Sequence, residues 1–253
     1  MAVLSVDLAT RRWSDLGLVV LERMCAPDSD EGLIRCEIVL WNEVGPVSAE
    51  TLAGRLNHLC GVRGIRVMML DGPQAWKSGS NGLEHARVSE RQLNTAAKTG
   101  LPGMVKPRTY RPFAEFCVDV YDALCRRGWR RLATRDHPGS PQERILVESY
   151  PYAAWKSLGL NPLPSKRRAR VSDLAEAFGA LRALIPFTVN RPPNHDQLQA
   201  IVGGLPGLAL EDRSTAGARI VGNPPRREEG HWREGFIVLP VPPNKPLGLR
   251  WLH

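Results

Sequence analysis

The sequence has no C-x-x-C pair: its five cysteines, Cys25, Cys36, Cys60, Cys117 and Cys125, are odd in number and widely scattered. That spacing argues against a zinc framework or a disulfide scaffold and suits buried free thiols in a reducing compartment. No stretch approaches the ~18 consecutive apolar residues needed to cross a bilayer, and residues 1–13 lack the basic region and long apolar run of a secretory leader. A cytoplasmic protein without a membrane partner is expected. Also missing are a Walker loop, a G-x-G-x-x-G turn, a nucleophile elbow and an H-E-x-x-H pair, so mononucleotide cradling, serine hydrolysis and zinc proteolysis find no support. There is no internal repeat or composition break, which predicts a single domain over 1–253.

What is present in excess is positive charge. The net charge is +8, and residues 126–170 alone hold 11 Lys/Arg against 3 Asp/Glu. A basic sector on an otherwise balanced chain is the footprint expected for a nucleic-acid partner. Within it, Lys166, Arg167 and Arg170 stand at the head of an expected helix, where they suit a phosphate track. Trp129, flanked by arginines, is as well placed to stack on a base as to pack in the core.

Apolar runs at 3–8, 16–22 and 33–41, joined by short polar connections at 11–15 and 27–32, predict three antiparallel strands. Ser48 is placed to cap a helix buried through Leu52, Leu56 and Leu59, and a strand at 65–70 follows. That crossover implies a parallel neighbour. Residues 72–110, rich in Gly, Ser, Lys and Pro, read as a long irregular insertion with a short helix near 87–97. A loop of that length is usually functional or mobile; its Trp76, Lys77, Arg87 and Arg91 could wall a site near Asp71. A helix at 112–127 should bury Phe113, Phe116, Cys117, Val120 and Leu124, and a strand follows at 145–150. Residues 166–184 should be helical, with Val171, Leu174, Phe178, Leu181 and Ile185 as the apolar stripe. Asn194 should cap a helix buried through Leu198, Ile201, Val202 and Leu205, and two short strands near 218–222 and 235–240 should form a C-terminal extension at about 215–253. The expected class is α/β: three antiparallel strands leading into parallel ones, with helices on both faces.

Three acids fall at informative places. Asp7 ends an apolar first strand, Asp71 follows Val67-Met68-Met69-Leu70, and Glu148 interrupts Ile145-Leu146-Val147. Ligand sites in open α/β sheets form at the carboxyl ends of strands. Carboxylates gathered there persist when a hard divalent cation neutralises them, and two such ions about 4 Å apart can drive phosphodiester hydrolysis.

These residues also carry a resemblance covering nearly the whole chain. Ser5-Val6-Asp7, Leu70-Asp71-Gly72-Pro73, Arg87-Val88-Ser89-Glu90, Val147-Glu148-Ser149-Tyr150-Pro151-Tyr152-Ala153-Ala154, His195-Asp196-Gln197-Leu198-Gln199-Ala200 and Glu234-Gly235-Phe236-Ile237-Val238-Leu239-Pro240 resemble motifs of the family catalogued as domain of unknown function 429. That family is regarded as predicted nucleases with a ribonuclease H-like fold. The resemblance implies a Mg²⁺- or Mn²⁺-dependent nuclease acting on DNA or RNA. Its catalytic and metal-ligating residues would be Asp7, Asp71, Glu148 and Asp196, holding two ions with help from Gln199. Phosphate would be bound by Lys166, Arg167, Arg170, Arg87 and Arg91. One departure stands out: Gln199 occupies the place of a second helix acid. A catalytically silent nucleic-acid-binding protein of the same fold is therefore the alternative. An actin-like ATPase would open with a similar strand order, but Leu8-Ala9-Thr10 is not its Gly-rich phosphate turn. The oligomeric state is open, a dimer included.

Overall fold

In the computed structural model, residues 2–24, 33–135, 140, 142–213 and 217–242 are described. The chain opens with β1 (Ala2–Asp7), β2 (Gly17–Arg23) and β3 (Ile34–Ile38), then α1 (Ala49–Arg63) and β4 (Val67–Asp71). α2 (Val88–Gln92), α3 (Arg111–Arg126), β5 (Arg130–Arg131), β6 (Ile145–Ser149) and α4 (Pro151–Ser157) follow. The remainder is α5 (Val171–Leu184), β7 (Phe187–Val189), α6 (His195–Glu211), β8 (Ala218–Val221), β9 (Arg226–Glu228), β10 (His231–Arg233) and β11 (Ile237–Pro240).

The main sheet runs β7-β3-β2-β1-β4-β6-β11-β8, with β5 also paired to β6. β1, β2 and β3 are antiparallel neighbours, and β4 and β6 extend the sheet in parallel from β1. This is the expected α/β class with a mixed sheet. α6 covers one face, with α4 and α5 outside it, and its core takes Val3, Met69 and Val147. α1 and α3 pack together over the other face, against Leu4, Val6, Met68 and Leu70. No described helix is long and apolar enough to cross a membrane.

Local chemistry explains most boundaries. The Ser48 side chain accepts from the Thr51 N–H to start α1, and Gly64 in the left-handed region (φ 65°) ends it. Leu52 and Leu56 are fully buried, each worth roughly 2–3 kcal/mol of apolar burial. α6 is buried on nearly all sides because it lies between the sheet and α4. Its close approach depends on Gly204, where a Cβ would stand 2.4 Å from Leu21 and 2.6 Å from Ser5.

Several expectations need correction. The helix expected over 166–184 begins only at Val171, which is 85% exposed, and Leu181 alone of that stripe is buried. α5 lies at the periphery, so amphipathic spacing overstated its burial. Phe113 and Phe116 are half-buried at the rim, while Cys117, Val120, Tyr121 and Leu124 form the core face of α3. The two short C-terminal strands expected near 218–222 and 235–240 are β8 and β11, paired antiparallel and built into the main sheet. β11 enters the main sheet parallel to β6 and carries β8 on its far side, while β9 and β10 make a small hairpin. The connection at 27–32 and residues 243–253 of the expected extension lie outside the described residues.

The 72–110 insertion is held by buried polar contacts rather than lying loose. Glu234, fully buried, accepts from the main-chain N–H groups of Ser78 (2.9 Å) and Val88 (2.8 Å) and from the Asn81 amide. Trp76 exchanges main-chain hydrogen bonds with Trp232 and Glu234, tying the insertion to the β9–β10 hairpin. Trp76 and Lys77 are each 5% exposed, so they are structural rather than an open substrate wall.

Candidate active site

β1 and β4 run parallel in register, and their last residues, Asp7 and Asp71, stand side by side. Residues in register share a face of the sheet, so both carboxyls lie on the α6 side. Gly17, the partner of Asp7 in β2, brings α6 down onto them: a Cβ at Gly17 would stand 2.2 Å from the Asp196 carbonyl oxygen. Three aspartates from β1, β4 and the first turn of α6 therefore converge at one end of the sheet.

Their charges are managed differently. Asp7 and Asp71 are half-buried and hydrogen-bond one another through their side chains. Burial raises Asp7 well above the ordinary carboxylate range, and repulsion from Asp71 and Asp196 adds to it. Burial also carries Asp71 up to about 7, with Glu148 contributing and the Asp7 hydrogen bond opposing. Among the described residues, neither forms an ion pair. Asp196 is matched instead. Lys166 Nζ lies 2.5 Å from its Oδ2 and also reaches Asp15, while His195 Nδ1 lies 3.2 Å from its Oδ1. Burial would raise Asp196, but the hydrogen bonds from His195 and Lys166 outweigh it and hold the carboxyl low. Both His195 ring nitrogens face acceptors, Asp196 and the Pro164 carbonyl, and the Asp196 bond raises its basicity. That environment favours the imidazolium.

Glu148 departs from expectation. It pairs in register with Leu70, whereas Ser149 pairs with Asp71. Alternation along the strand thus turns Glu148 to the opposite face from Asp7 and Asp71 and puts Ser149 on theirs. Glu148 is 3% exposed and bound by Arg87 through both guanidinium ends, at 2.7 and 2.6 Å. It also accepts from the Gln74 N–H at 2.9 Å. Burial works against the charge on Arg87, but Glu148 and Glu90 hold it firmly protonated. Arg87, 1% exposed, is therefore the buried counter-ion of Glu148 and not a phosphate-binding side chain.

Other expected site residues separate likewise. Gln199 accepts from Trp155 Nε1 at 2.8 Å, which engages its carbonyl oxygen with α4 rather than with the aspartates. Arg91 is exposed on α2. Arg167 and Arg170 are exposed beside Lys166, which anchors their segment to Asp196. The basic sector is otherwise partly structural: Arg126 and Arg127 pair with Glu50, and Arg131 is buried against Asp122. Trp129 is 2% exposed and donates to Asn57, so it packs and does not await a base. Sequence reasoning did not assign Ser149 or Asp15 to the site; strand register and the Lys166 ion pair bring them there. No group of three or more His, Cys, Asp or Glu side chains among the described residues is drawn together closely enough to ligate one ion.

No family model matches the chain, and no curated protein matches it. Solved structures that overlap it include a Thermus thermophilus RuvC structure at 12% identity and T. thermophilus RuvC in complex with a Holliday junction substrate at 13%. Each comparison covers 84% of this chain and 96% of the other, with a TM-score of 0.37. An overlap of that depth assigns neither a fold family nor an activity to this chain.

Proposed function

We propose that the protein is a ribonuclease H-like, divalent-metal-dependent nuclease hydrolysing phosphodiester bonds of DNA or RNA. The observation that carries this reading is the Asp7–Asp71 pair: two half-buried carboxylates, hydrogen-bonded to each other and without an ion pair among the described residues. Such a pair must either share a proton or receive a cation. An all-oxygen donor set at strand ends suits Mg²⁺ or Mn²⁺, which needs one or two carboxylates and keeps its waters. Asp7 and Asp71 would hold the ion, with Asp196 beside them. The charge on Glu148 is already matched by Arg87, and that on Asp196 by Lys166 and His195. One ion therefore fits the remaining charge better than the two first expected.

A bound dication would supply an acidified water and neutralise charge developing on a phosphate. The chain's own residues position the rest. Lys166 fixes Asp196 and with it the exposed run Arg167, Arg168 and Arg170, which can follow a phosphate backbone alongside the aspartates. His195, between Asp196 and the Pro164 carbonyl, locks the start of α6 to that run.

Calorimetric titration of Mn²⁺, with cleavage assays on DNA and RNA, tests the proposal. Binding and cleavage should be present in the native protein and lost in Asp7→Asn and Asp71→Asn; absence of both in the native protein refutes it. A second reading, a catalytically silent nucleic-acid-binding protein, is favoured by the engagement of Glu148 and Gln199 in structural bonds. It predicts nucleic-acid affinity that falls steeply with salt and no cleavage with any metal.

A further inference from the structure

Beside Asp71 lies a cavity of about 270 Å³. Its wall is partly aromatic, from Tyr110, Phe113 and Tyr150, and its polar lining is Asp71, Glu90 and Glu148 with Arg87, Thr95 and Ser149. All three aromatic rings are half-buried. The Tyr110 and Phe113 rings are tilted to each other at 5.3 Å between centroids. The sequence led us to expect Phe113 in the core, yet its helix turns it to this cavity instead. A half-exposed apolar ring at the edge of a charged site costs hydration free energy unless something covers it.

Arg87, 1% exposed, spends both terminal nitrogens on Glu148 and Glu90, so the carboxylates beside it in the lining are already matched. The cavity thus combines flat apolar surfaces with a carboxylate of the proposed metal pair at its edge. Its volume is just below the range of about 300–1,000 Å³ typical of pockets for small organic ligands. One planar heterocycle fits that space.

We infer that this cavity seats a single unpaired nucleobase, so that the substrate is a single-stranded or flipped-out nucleotide whose phosphate lies over Asp7 and Asp71. The inference rests on the nuclease reading and deepens it. Stacking of a base against aromatic rings tolerates many sequences because every base has a π-face. Enzymes that enclose a base must take it out of the duplex stack, which favours substrates already unpaired. The cavity therefore sets strandedness rather than sequence.

The test uses the full chain with saturating Ca²⁺, a hard oxygen-seeking cation, and a single-stranded oligonucleotide carrying one 2-aminopurine, whose fluorescence falls on stacking. The same strand in duplex is the second probe. The single strand should be quenched and bound about tenfold more tightly than the duplex. Phe113→Ala should lower single-strand affinity by about tenfold, the order of one stacked base. Because Phe113→Ala could also loosen α3, Ala96→Trp provides an independent arm. Ala96 is an exposed residue of the cavity lining, so a bulky ring there should block the cavity without disturbing the core. That variant should lose quenching and the preference for single strands while binding Mn²⁺ like the native protein. Equal affinity for single strand and duplex, or unchanged quenching in Ala96→Trp, overturns the base pocket while Mn²⁺ binding and cleavage leave the nuclease reading standing. Failure to bind Mn²⁺ or either oligonucleotide overturns both.

Discussion

Replacing Asp71 with Asn should make the metal-free protein more stable at alkaline pH. Asp71 is carried from the ordinary 3.8 to about 7 by burial next to Asp7. Three units at 1.36 kcal/mol each set an upper bound of about 4 kcal/mol, and partial solvent access at the site reduces this to roughly 2–4 kcal/mol. The sign follows from proton binding. The folded state holds the proton more tightly than the unfolded chain, so this site's stabilisation is complete below about pH 4 and is lost as pH rises to about 7. Asn cannot ionise, and its amide still offers a donor to Asp7. Urea or thermal melts in chelator should therefore show Asp71→Asn close to the native protein near pH 4 and more stable near pH 8. For a chain of 253 residues the difference corresponds to roughly 4–8 °C in Tm. Excess Mn²⁺ should raise the native Tm at the higher pH, because it binds the folded state, and should do little for the variant. If Asp71→Asn is less stable than the native protein near pH 8, or if their difference does not change with pH, the two carboxyls do not share a desolvated site and the metal proposal loses its foundation.

Arg87→Met should cost about 3–5 kcal/mol by leaving Glu148 buried without its partner. Adding Glu148→Gln should restore much of that loss in urea melts, and a near-neutral single variant would show the pair to be solvent-exposed. Gln199→Leu should cost about 1–3 kcal/mol, since Trp155 Nε1 loses its acceptor, with Mn²⁺ affinity unchanged by calorimetry. A large drop in affinity would restore Gln199 as a ligand. Gly17→Ala should lower both stability and Mn²⁺ affinity, because its Cβ would strike the Asp196 carbonyl at 2.2 Å and force the start of α6 away from Asp7. Full Mn²⁺ binding in that variant would show that Asp196 does not contribute to the site.

Periodicity made much of the fold legible. The runs around Val3–Val6, Leu18–Leu21 and Met68–Leu70, and the Leu198/Ile201/Val202/Leu205 stripe, each lie in the element expected. β5 and β7, with two and three residues, are too short to carry a repeating pattern and exist through their neighbours. For the site, strand-end position sufficed for Asp7 and Asp71. It could not serve Glu148, because motif spacing says nothing of which strand residues become partners, and an offset of one residue reverses the face. The arrest of the 72–110 insertion was hidden for another reason. Its buried partners, such as Glu234 for Ser78 and Glu148 for Arg87, lie 156 and 61 positions away along the chain.

That same long reach imposes an order on biosynthesis. β11 is not at the sheet's edge; it sits between β6 and β8. Residues 234–240 must therefore emerge before the sheet can close and before Glu234 can take hold of Ser78 and Val88. Until then, more than nine-tenths of the chain has been made with the β6 edge beyond the β5 pairing open and the 72–110 segment lacking its Glu234 anchor, a state prone to wrong pairing. A chaperone acting on this protein would have most to do in that interval, and a nonsense change between residues 197 and 233 would remove Glu234 and β11 although every proposed metal ligand had already been made.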